Sequence, residues 1–240
     1  MQSLFISDLH LGHHSANIVK GFFRFLENQA ASADQLYILG DFFDAWIGDD
    51  DDDDLIAQIK DRLRSYARDH QVFFIHGNRD FLVGEQFARD TGITLLPESH
   101  LIDLNGQTTL LTHGDTLCTH DVEYLQFRAM VRNPAWQQQV LSLPLPQRRQ
   151  MAADLRQKSA SMNAMKAEDI MDVTPEEVVR VMANAEVQVL IHGHTHRPAH
   201  HALAVNGTAA ERWVLGDWGD TGWYLDITTG KTPQLIQFSL

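Results

Sequence analysis

Each of five short apolar runs along the chain is followed by polar residues of types that can bind metals or take part in catalysis. The runs occupy residues 4–6, 36–39, 72–75, 109–111 and 187–191. Continuous apolar runs of this length, bounded by glycine, are typical of strands that are buried on both faces. The polar residues that follow them are therefore expected at the carboxyl ends of strands, where open α/β sheets bind their ligands.

Helix-spaced apolar positions lie between the strand-like runs, over residues 16–31 and 55–68. Strand and helix in alternation predict βαβ units. After residue 97, Asn105-Gly106 and Asn206-Gly207 indicate two hairpin turns, and strand-like runs follow at 212–215, 223–227 and 234–238. The pattern predicts an α/β fold, a sandwich of two mixed β-sheets flanked by helices.

The segment from about 120 to 185 breaks this alternation. It favours helix and is punctuated by prolines. Its apolar residues are Leu125, Phe127, Met130, Val131, Trp136, Val140, Leu141, Leu143 and Leu145. We interpret the segment as a helical insertion over the top of the sheets, within a single domain that spans residues 1–240, and expect about half of these residues to be ordinary core.

Composition narrows the classes of function. The formal net charge is −13, so we expect no nucleic-acid partner, because nucleic-acid backbones are bound by clustered Lys and Arg. The single cysteine, Cys118, excludes an internal disulfide and suits a reducing compartment. No apolar stretch approaches the ~20 residues that span a bilayer, and the first residues lack signal-peptide character. We expect a cytoplasmic protein, soluble or peripherally bound.

A run of six aspartates occupies positions 49–54. Consecutive carboxylates cannot converge on one cation without a turn that points them inward, and runs of like charge are usually solvated loops. We therefore expect a solvated loop rather than a cation site. Part of the run is expected to cap the helix that begins near Leu55, because Asp is favoured at helix N-termini.

Seven polar residues at the five strand ends form the candidate metal centre. They are Asp8, His10, Asp41, Asn78, His113, His194 and His196. In an extended strand a spacing of two places both side chains on one face, so Asp8 and His10 are expected to converge, and His194 and His196 likewise. Burying these groups together is costly without a partner, which a metal centre would supply.

The types of donor atom limit which metal ions this centre is expected to bind. Four imidazoles, two carboxylates and one amide, with no thiolate, suit Mn²⁺, Fe²⁺ or Zn²⁺ better than the all-oxygen shells of Ca²⁺ or Mg²⁺. Seven ligands exceed the needs of one ion, so we expect two ions that share a bridging carboxylate. Two ions about 3.5–4 Å apart can activate a water molecule as hydroxide and stabilise the attacking and leaving oxygens at phosphorus.

Five motifs in order resemble those of the calcineurin-like metallophosphoesterases. They are DLH at 8–10, GDFFD at 40–44, GNRD at 77–80, HGD at 113–115 and GHTH at 193–196. The resemblance implies that the first ion is held by Asp8, His10, Asp41 and His196. It also implies that Asp41, as the bridging ligand, holds the second ion with Asn78, His113 and His194.

Arg79 points to a narrower group within that family. Many members have His at this position, and a permanently charged, forked guanidinium is suited to clamping phosphate rather than to general acid catalysis. With Arg79, the longer runs 37–50, 76–82, 113–119 and 190–198 resemble the UDP-2,3-diacylglucosamine pyrophosphohydrolases of lipid A biosynthesis. That resemblance implies two Mn²⁺ per chain, with Fe²⁺ or Zn²⁺ as alternatives. It further implies hydrolysis of the pyrophosphate of UDP-2,3-diacylglucosamine to UMP and 2,3-diacylglucosamine 1-phosphate (lipid X).

The same resemblance implies roles for individual residues. Catalytic roles fall on Asp41, Asn78, Arg79 and His194. Substrate contacts fall on Asn78, Arg79, Asp121, Ser159, Asn163, Lys166 and His194, with Tyr124 and Arg156 as weaker candidates. Ser159, Asn163 and Lys166 share one helix face by their i, i+4, i+7 spacing. The alternative for that face is a solvated stripe, and the alternative for Asp121 is a helix cap.

A substrate with two acyl chains requires an apolar binding surface, which the insertion could provide. We hypothesise that its apolar residues form a lid that holds the acyl chains and contacts the cytoplasmic face of the inner membrane, in a monomeric protein. One alternative is a soluble nucleotide pyrophosphatase or phosphodiesterase of the same fold. Another is a non-catalytic scaffold, which is expected to have lost metal ligands, whereas this chain retains all seven.

Overall fold

The structure, a computed structural model, describes residues 1–163 and 170–240 and leaves out the side chains of residues 160, 162 and 163. In these ranges the chain forms two packed β-sheets with helices on their outer faces. The predicted fold class is confirmed.

The first sheet has six strands in the order β11-β10-β1-β2-β3-β4. Its strands are β1 (Gln2–Ile6), β2 (Gln35–Leu39), β3 (Gln71–Ile75), β4 (Thr94–Leu95), β10 (Thr221–Thr228) and β11 (Gln234–Ser239). Strands β1 to β4 pair in parallel, whereas β10 pairs antiparallel with both β1 and β11. Strands β1, β2 and β3 are predicted apolar runs, whereas the short strand β4 was not predicted, and the carboxyl ends of the parallel strands lie at one edge of the sheet.

The second sheet has five strands in the order β5-β6-β7-β9-β8. Its strands are β5 (Ser99–Leu104), β6 (Gln107–Thr112), β7 (Val189–His192), β8 (Ala199–Val205) and β9 (Thr208–Val214). Strand β7 pairs in parallel with β6 and β9. The two predicted hairpins join β5 to β6 and β8 to β9, and Asn-Gly at each turn adopts positive φ at both residues, as a type I′ turn requires.

Both faces of the first sheet are buried, which explains its continuous apolar strands. Phe5 and Tyr37 point between the sheets and stack at 4.8 Å between ring centroids, alongside Ile191 of the second sheet. Leu4 and Ile6 point to the other face, against the outer helices. Removing this much apolar surface from water is the main stabilising contribution to the sandwich.

Four helices cover the outer faces of the sandwich: α1 (Ala16–Glu27), α2 (Asp54–Tyr66), α3 (Glu85–Thr91) and α7 (Pro175–Asn184). The predicted stripes of α1 and α2 pack on the first sheet. In contrast, α7 buries Val178 and Met182 against Leu110 and Leu190 of the second sheet. The end of the predicted insertion thus belongs to the sandwich.

The remaining helices of the insertion are α4 (Val122–Val131), α5 (Pro134–Leu141) and α6 (Leu145–Asn163); we call these three helices the lid. Of the nine apolar residues that the sequence singled out, Val131 and Val140 are buried. The expectation that half of them are core was therefore too high, because five of the others are only partly buried and Met130 and Leu141 are exposed. Among the described helices, none is long and apolar enough to cross a membrane.

The aspartate run attaches the lid to the sandwich. As predicted, Asp53 caps α2, accepting hydrogen bonds from the backbone N–H groups of Leu55 and Ile56. Asp50 forms a two-pronged ion pair with Arg148 of α6, at 2.7 and 2.5 Å. The Arg148 side chain is 4% exposed and also donates to the carbonyl of Ile47 at 2.6 Å. These carboxylates therefore serve as helix cap and docking site.

Candidate metal centre

The loops that follow β1, β2, β3, β6 and β7 meet where the two sheets come together. Backbone hydrogen bonds fix each loop to its neighbour. Asp8 N donates to Gly40 O at 3.0 Å, His10 N to Asp41 O at 2.9 Å, and Gly193 N to His113 O at 2.8 Å. The ligand-bearing residues are thus positioned by the backbone of both sheets.

Five of the seven predicted ligands adopt the left-handed backbone conformation. Their φ angles are 58° at Asp8, 50° at His10, 50° at Asp41, 69° at His194 and 56° at His196. The convergence of Asp8 with His10 was predicted, but the reason given was wrong, because β1 ends at Ile6 and neither residue is in extended strand. Non-glycine residues in this conformation cost about 1–3 kcal/mol each and cluster at functional sites.

One group of ligands contains Asp8, His10 and His196. Nε2 of His10 lies 3.4 Å from Nε2 of His196, which lies 3.3 Å from Oδ1 of Asp8. The other carboxylate oxygen of Asp8 accepts hydrogen bonds from Ser7 Oγ at 2.6 Å and from the backbone N–H of His194 at 2.9 Å. Oδ1 therefore remains to face the imidazoles.

The other group contains Asn78, His113 and His194, with Asp41 beside it. Oδ1 of Asn78 lies 3.0 Å from Nε2 of His113 and 2.9 Å from Nδ1 of His194. Nε2 of His113 is 3.8 Å from Oδ1 of Asp41. His113 directs its Nδ1 to the carbonyl of Leu39 at 2.8 Å. Only a protonated nitrogen can donate there, so Nε2 is the nitrogen of His113 that could bind a metal.

Two glycines permit this close packing. A Cβ on Gly77 would lie 2.2 Å from both N and Oδ1 of Asp41. A Cβ on Gly193 would lie 2.2 Å from Ser7 Oγ and 2.4 Å from Asp8 Oδ2. Real Cβ atoms do not approach other atoms this closely, so both positions require glycine for the ligands to keep their places.

Burial and charge set the protonation of the imidazoles. Burial lowers the pKa of His10 to about 3 and, helped by nearby His113, that of His194 to about 4. Burial also opposes protonation of His196, but the Asp8 carboxylate outweighs it and raises the pKa of His196 to about 9. The same pairing holds the pKa of Asp8 below its usual range despite burial. A metal ion binding beside His196 must therefore displace a proton.

The residues present fit a pair of divalent cations. Asp8, His10 and His196 place ligand atoms within 4.8 Å of one another, as do Asp8, Asp41 and His113. Oδ1 of Asp8 and Nδ1 of His10 are buried without a hydrogen-bond partner. Burial raises the pKa of Asp41 to about 7. Neighbouring His113 and Arg79 offset only part of this effect of burial, and metal ions would add the positive charge that favours the ionised carboxylate.

Arg79 lies at the rim of this centre. Its backbone N–H donates to Oδ1 of Asp41 at 2.8 Å, and its Nε is 3.7 Å from Oδ2 of the same residue. Nη1 is held by Oδ1 of Asp44 at 3.3 Å, and 31% of the side chain is exposed. The guanidinium is therefore placed beside the centre and open to a ligand.

The structure places only some of the residues that were predicted to bind substrate from the lid. Asp121 caps α4, accepting from the backbone N–H of Tyr124 at 3.1 Å. Ser159 is exposed on α6, and Asn163 is the last residue of that helix. The side chain of Asn163 and all of Lys166 lie outside the described residues. Substrate binding by these four residues stays a prediction.

Three other residues near the centre carry interactions that the sequence did not assign. Asp80 is fully buried and accepts from the backbone N–H groups of Phe42 and Gly77, both at 2.7 Å, tying two ligand loops together. Asp115 accepts from Tyr124 Oη, whose ring lies 5.9 Å from that of His194. Asp44 pairs with Arg79. All three lie within the quoted motifs, which is the signal that could have identified them.

Comparison with known proteins identifies relatives of this chain. The sequence profile described as calcineurin-like phosphoesterase matches residues 1–198. A protein from Cellvibrio japonicus named UDP-2,3-diacylglucosamine hydrolase is 56% identical over 229 residues, which cover 95% of each chain. Proteins of the same name are 50% identical in Chromohalobacter salexigens, covering 100% of this chain and 98% of the relative, and 51% identical in Salmonella typhi, covering 100% of both.

Proposed function

This chain belongs to the calcineurin-like phosphoesterase family, and we propose that it hydrolyses the pyrophosphate bond of UDP-2,3-diacylglucosamine to UMP and 2,3-diacylglucosamine 1-phosphate. The observation that carries the proposal is the convergence of seven side chains with nitrogen or oxygen donor atoms at five strand ends, in a chain that matches hydrolases of that name over 95–100% of its length. The reaction is a step of lipid A biosynthesis.

We propose that Asp8, His10, Asp41 and His196 hold one divalent ion and that Asp41, Asn78, His113 and His194 hold a second. Two such ions, when bound, activate water and offset negative charge at phosphorus. Manganese is the proposed metal, since a mixture of imidazole, carboxylate and amide donors suits Mn²⁺ and the ions near it. Support comes from the donor set and from the buried ligand atoms without partners.

The chain's own contribution is to position the substrate and stabilise charge. Arg79 directs Nη1 to Asp44 and Nε toward Asp41, and its exposed part at the rim can bind a phosphate oxygen. His194, whose pKa is lowered to about 4 by burial, stays neutral and ligand-competent at pH 7. Water is the proposed nucleophile, in a direct displacement without a phospho-enzyme.

The lid is proposed to bind the acyl chains. Val122, Met130 and Leu141 on its helices are 58%, 47% and 41% exposed, so the lid presents large apolar side chains at its surface. Through this surface the protein is proposed to contact the cytoplasmic face of the inner membrane as a monomer, with Asp121, Ser159, Asn163 and Lys166 binding the polar part of the substrate.

A substrate comparison tests the proposal. The purified protein is assayed with Mn²⁺ on UDP-2,3-diacylglucosamine, UDP-N-acetylglucosamine and bis-p-nitrophenyl phosphate, with a chelator control for each. We expect kcat/KM for the lipid-linked substrate to exceed that for the soluble sugar nucleotide by about 10²-fold or more, since buried acyl carbons contribute ~0.8 kcal/mol per methylene. Equal values would favour a soluble nucleotide pyrophosphatase instead. Activity that survives full chelation would refute the metal centre.

A further inference from the structure

Asp44 joins the lid to the rim of the metal centre through one buried carboxylate. The residue is 7% exposed, and its backbone N–H donates to the carbonyl of Leu11 at 3.1 Å. Its Oδ1 lies 3.3 Å from Nη1 of Arg79, and its Oδ2 lies 2.6 Å from Nη2 of Arg156 on α6. Nδ1 of His14 also lies 3.6 Å from Oδ2, so this one carboxylate contacts an imidazole and two guanidinium groups from different parts of the fold.

The two arginines differ in what they depend on. Arg79 follows β3 and its backbone is fixed by Asp41, so only its side chain needs an anchor. Arg156 lies on the lid, 44% exposed, and among the described interactions Asp44 is its ion-pair partner. A guanidinium has five N–H donors, so each arginine keeps most of its donors after binding one carboxylate oxygen.

Without Asp44, Arg79 has a competing partner. Its Nε already lies 3.7 Å from Oδ2 of Asp41, the carboxylate proposed to bridge the two ions. A free guanidinium would move toward that carboxylate, because charge-assisted pairs are strongest where water is partly excluded. Asp44, at 3.3 Å from Nη1, therefore competes with Asp41 for the Arg79 guanidinium.

We infer that Asp44 is a positioning residue that sets Arg79 at the rim of the metal centre and links that position to the seating of lid helix α6 through Arg156. The inference rests on the proposed function for the identity of the lipid substrate, but its effect on Arg79 applies to any phosphodiester. Hydrolysis of a small diester therefore reports Arg79 alone, and hydrolysis of the UDP-lipid reports both links.

The test is a double-mutant cycle between Asp44→Asn and Arg79→Gln, read as kcat on bis-p-nitrophenyl phosphate with Mn²⁺. We expect each single variant to lower kcat by about tenfold or more, and the double variant to be no slower than Arg79→Gln within about twofold, because residues that act together are not additive. Asp44→Ser, which removes the carboxylate without adding bulk, must show the same non-additivity. Losses that multiply in the double variant would overturn the inference.

The matched control is Asp50→Asn, in the same loop region. It removes a carboxylate that also binds α6, through Arg148, but that does not contact Arg79. We expect Asp50→Asn to leave kcat on the small diester within about twofold of the parent. An equal loss in Asp50→Asn and Asp44→Asn would show that general loosening of α6, rather than the position of Arg79, is responsible, and would refute the inference.

A second double-mutant cycle, Asp44→Asn with Arg156→Gln, tests the link between Asp44 and the lid. It is measured as KM for UDP-2,3-diacylglucosamine. We expect each variant to raise KM by about tenfold and the pair to raise it no further than the larger single effect. Independent effects on KM would remove Arg156 from the inference. If the parent protein hydrolyses the small diester but not the UDP-lipid, the proposed substrate fails, whereas the Arg79 cycle still decides the role of Asp44.

Discussion

The metal centre and the lid meet at the same edge of the sandwich, but they are held there by different interactions. The predicted ligands of the centre project from loops hydrogen-bonded to one another, five of them in left-handed backbone conformations. The lid buries few apolar side chains and is attached by arginines. Arg128 donates to Asp115 at 2.7 Å, Arg132 to the carbonyl of Gly77 at 2.8 Å, and Arg148 to Asp50.

This difference suits two tasks. Chemistry at phosphorus requires ligand atoms that stay in place, and strain imposed by a rigid frame provides that. The lid surface that we propose to bind acyl chains must yield to admit them, and ion pairs at a partly exposed boundary open at lower free-energy cost than a packed core. Substitutions in the two regions should therefore affect different kinetic constants.

The largest effect is expected for Asp41→Ala, which removes the proposed bridging ligand. We expect kcat to fall by about 10³-fold, or ~4 kcal/mol, for both the lipid substrate and the small diester, since charge stabilisation by the metal pair is lost. Bound Mn²⁺, measured by elemental analysis, should fall in parallel. Asp61→Ala, an exposed carboxylate paired with Arg64, is the control. Full metal content and activity in Asp41→Ala would contradict the site.

A smaller effect on the same region is expected for Gly193→Ala. The added Cβ would lie 2.4 Å from Oδ2 of Asp8, so the ligand loop must shift, at a cost of about 1–3 kcal/mol. We expect kcat to drop by about ten- to a hundredfold for both substrates, with KM little changed. Gly219→Ala, where a Cβ meets nothing within 4 Å, should behave like the parent; an equal loss there would argue against the steric reason.

In the lid, replacing Val122, Met130 and Leu141 together with Ser tests its apolar surface. These side chains are exposed, so the fold should tolerate the change. We expect KM for the diacyl substrate to rise by about ten- to a hundredfold and kinetics on the small diester to stay constant, because only acyl chains lose apolar contact. Equal effects on both substrates would show that the lid and the metal centre do not differ in the kinetic constants they control.

The smallest effect is expected from loosening the lid itself. Arg148→Ala removes a buried guanidinium that binds Asp50 and the carbonyl of Ile47. We expect amide hydrogen exchange in α6 to accelerate by about tenfold, or ~1.4 kcal/mol of local opening, with no change around the metal centre. Arg149→Ala, whose exposed side chain pairs with Asp51 and Asp52, should produce less than half that free-energy change. Exchange that accelerates equally in the sheets would show that lid and sandwich open together.

The amino-acid sequence alone determined the fold class, the strand ends and all seven candidate ligands. Apolar runs identify buried strands because they have no polar face to show water, and five motifs in order placed the ligands on the loops behind them. The two Asn-Gly hairpins were equally predictable, because their turn type requires positive φ.

Tertiary structure decided how those residues come together. Spacing alone suggested extended geometry for Asp8 and His10, whereas contacts with the loops after β2 and β7 force both into left-handed conformations. The aspartate run looked like a solvated loop, and only the path of α6 brought Arg148 and Arg149 to it. Asp44 likewise pairs with Arg79, more than thirty positions away, and with Arg156, more than a hundred positions away. Such contacts depend on packing between elements, which local sequence patterns do not encode.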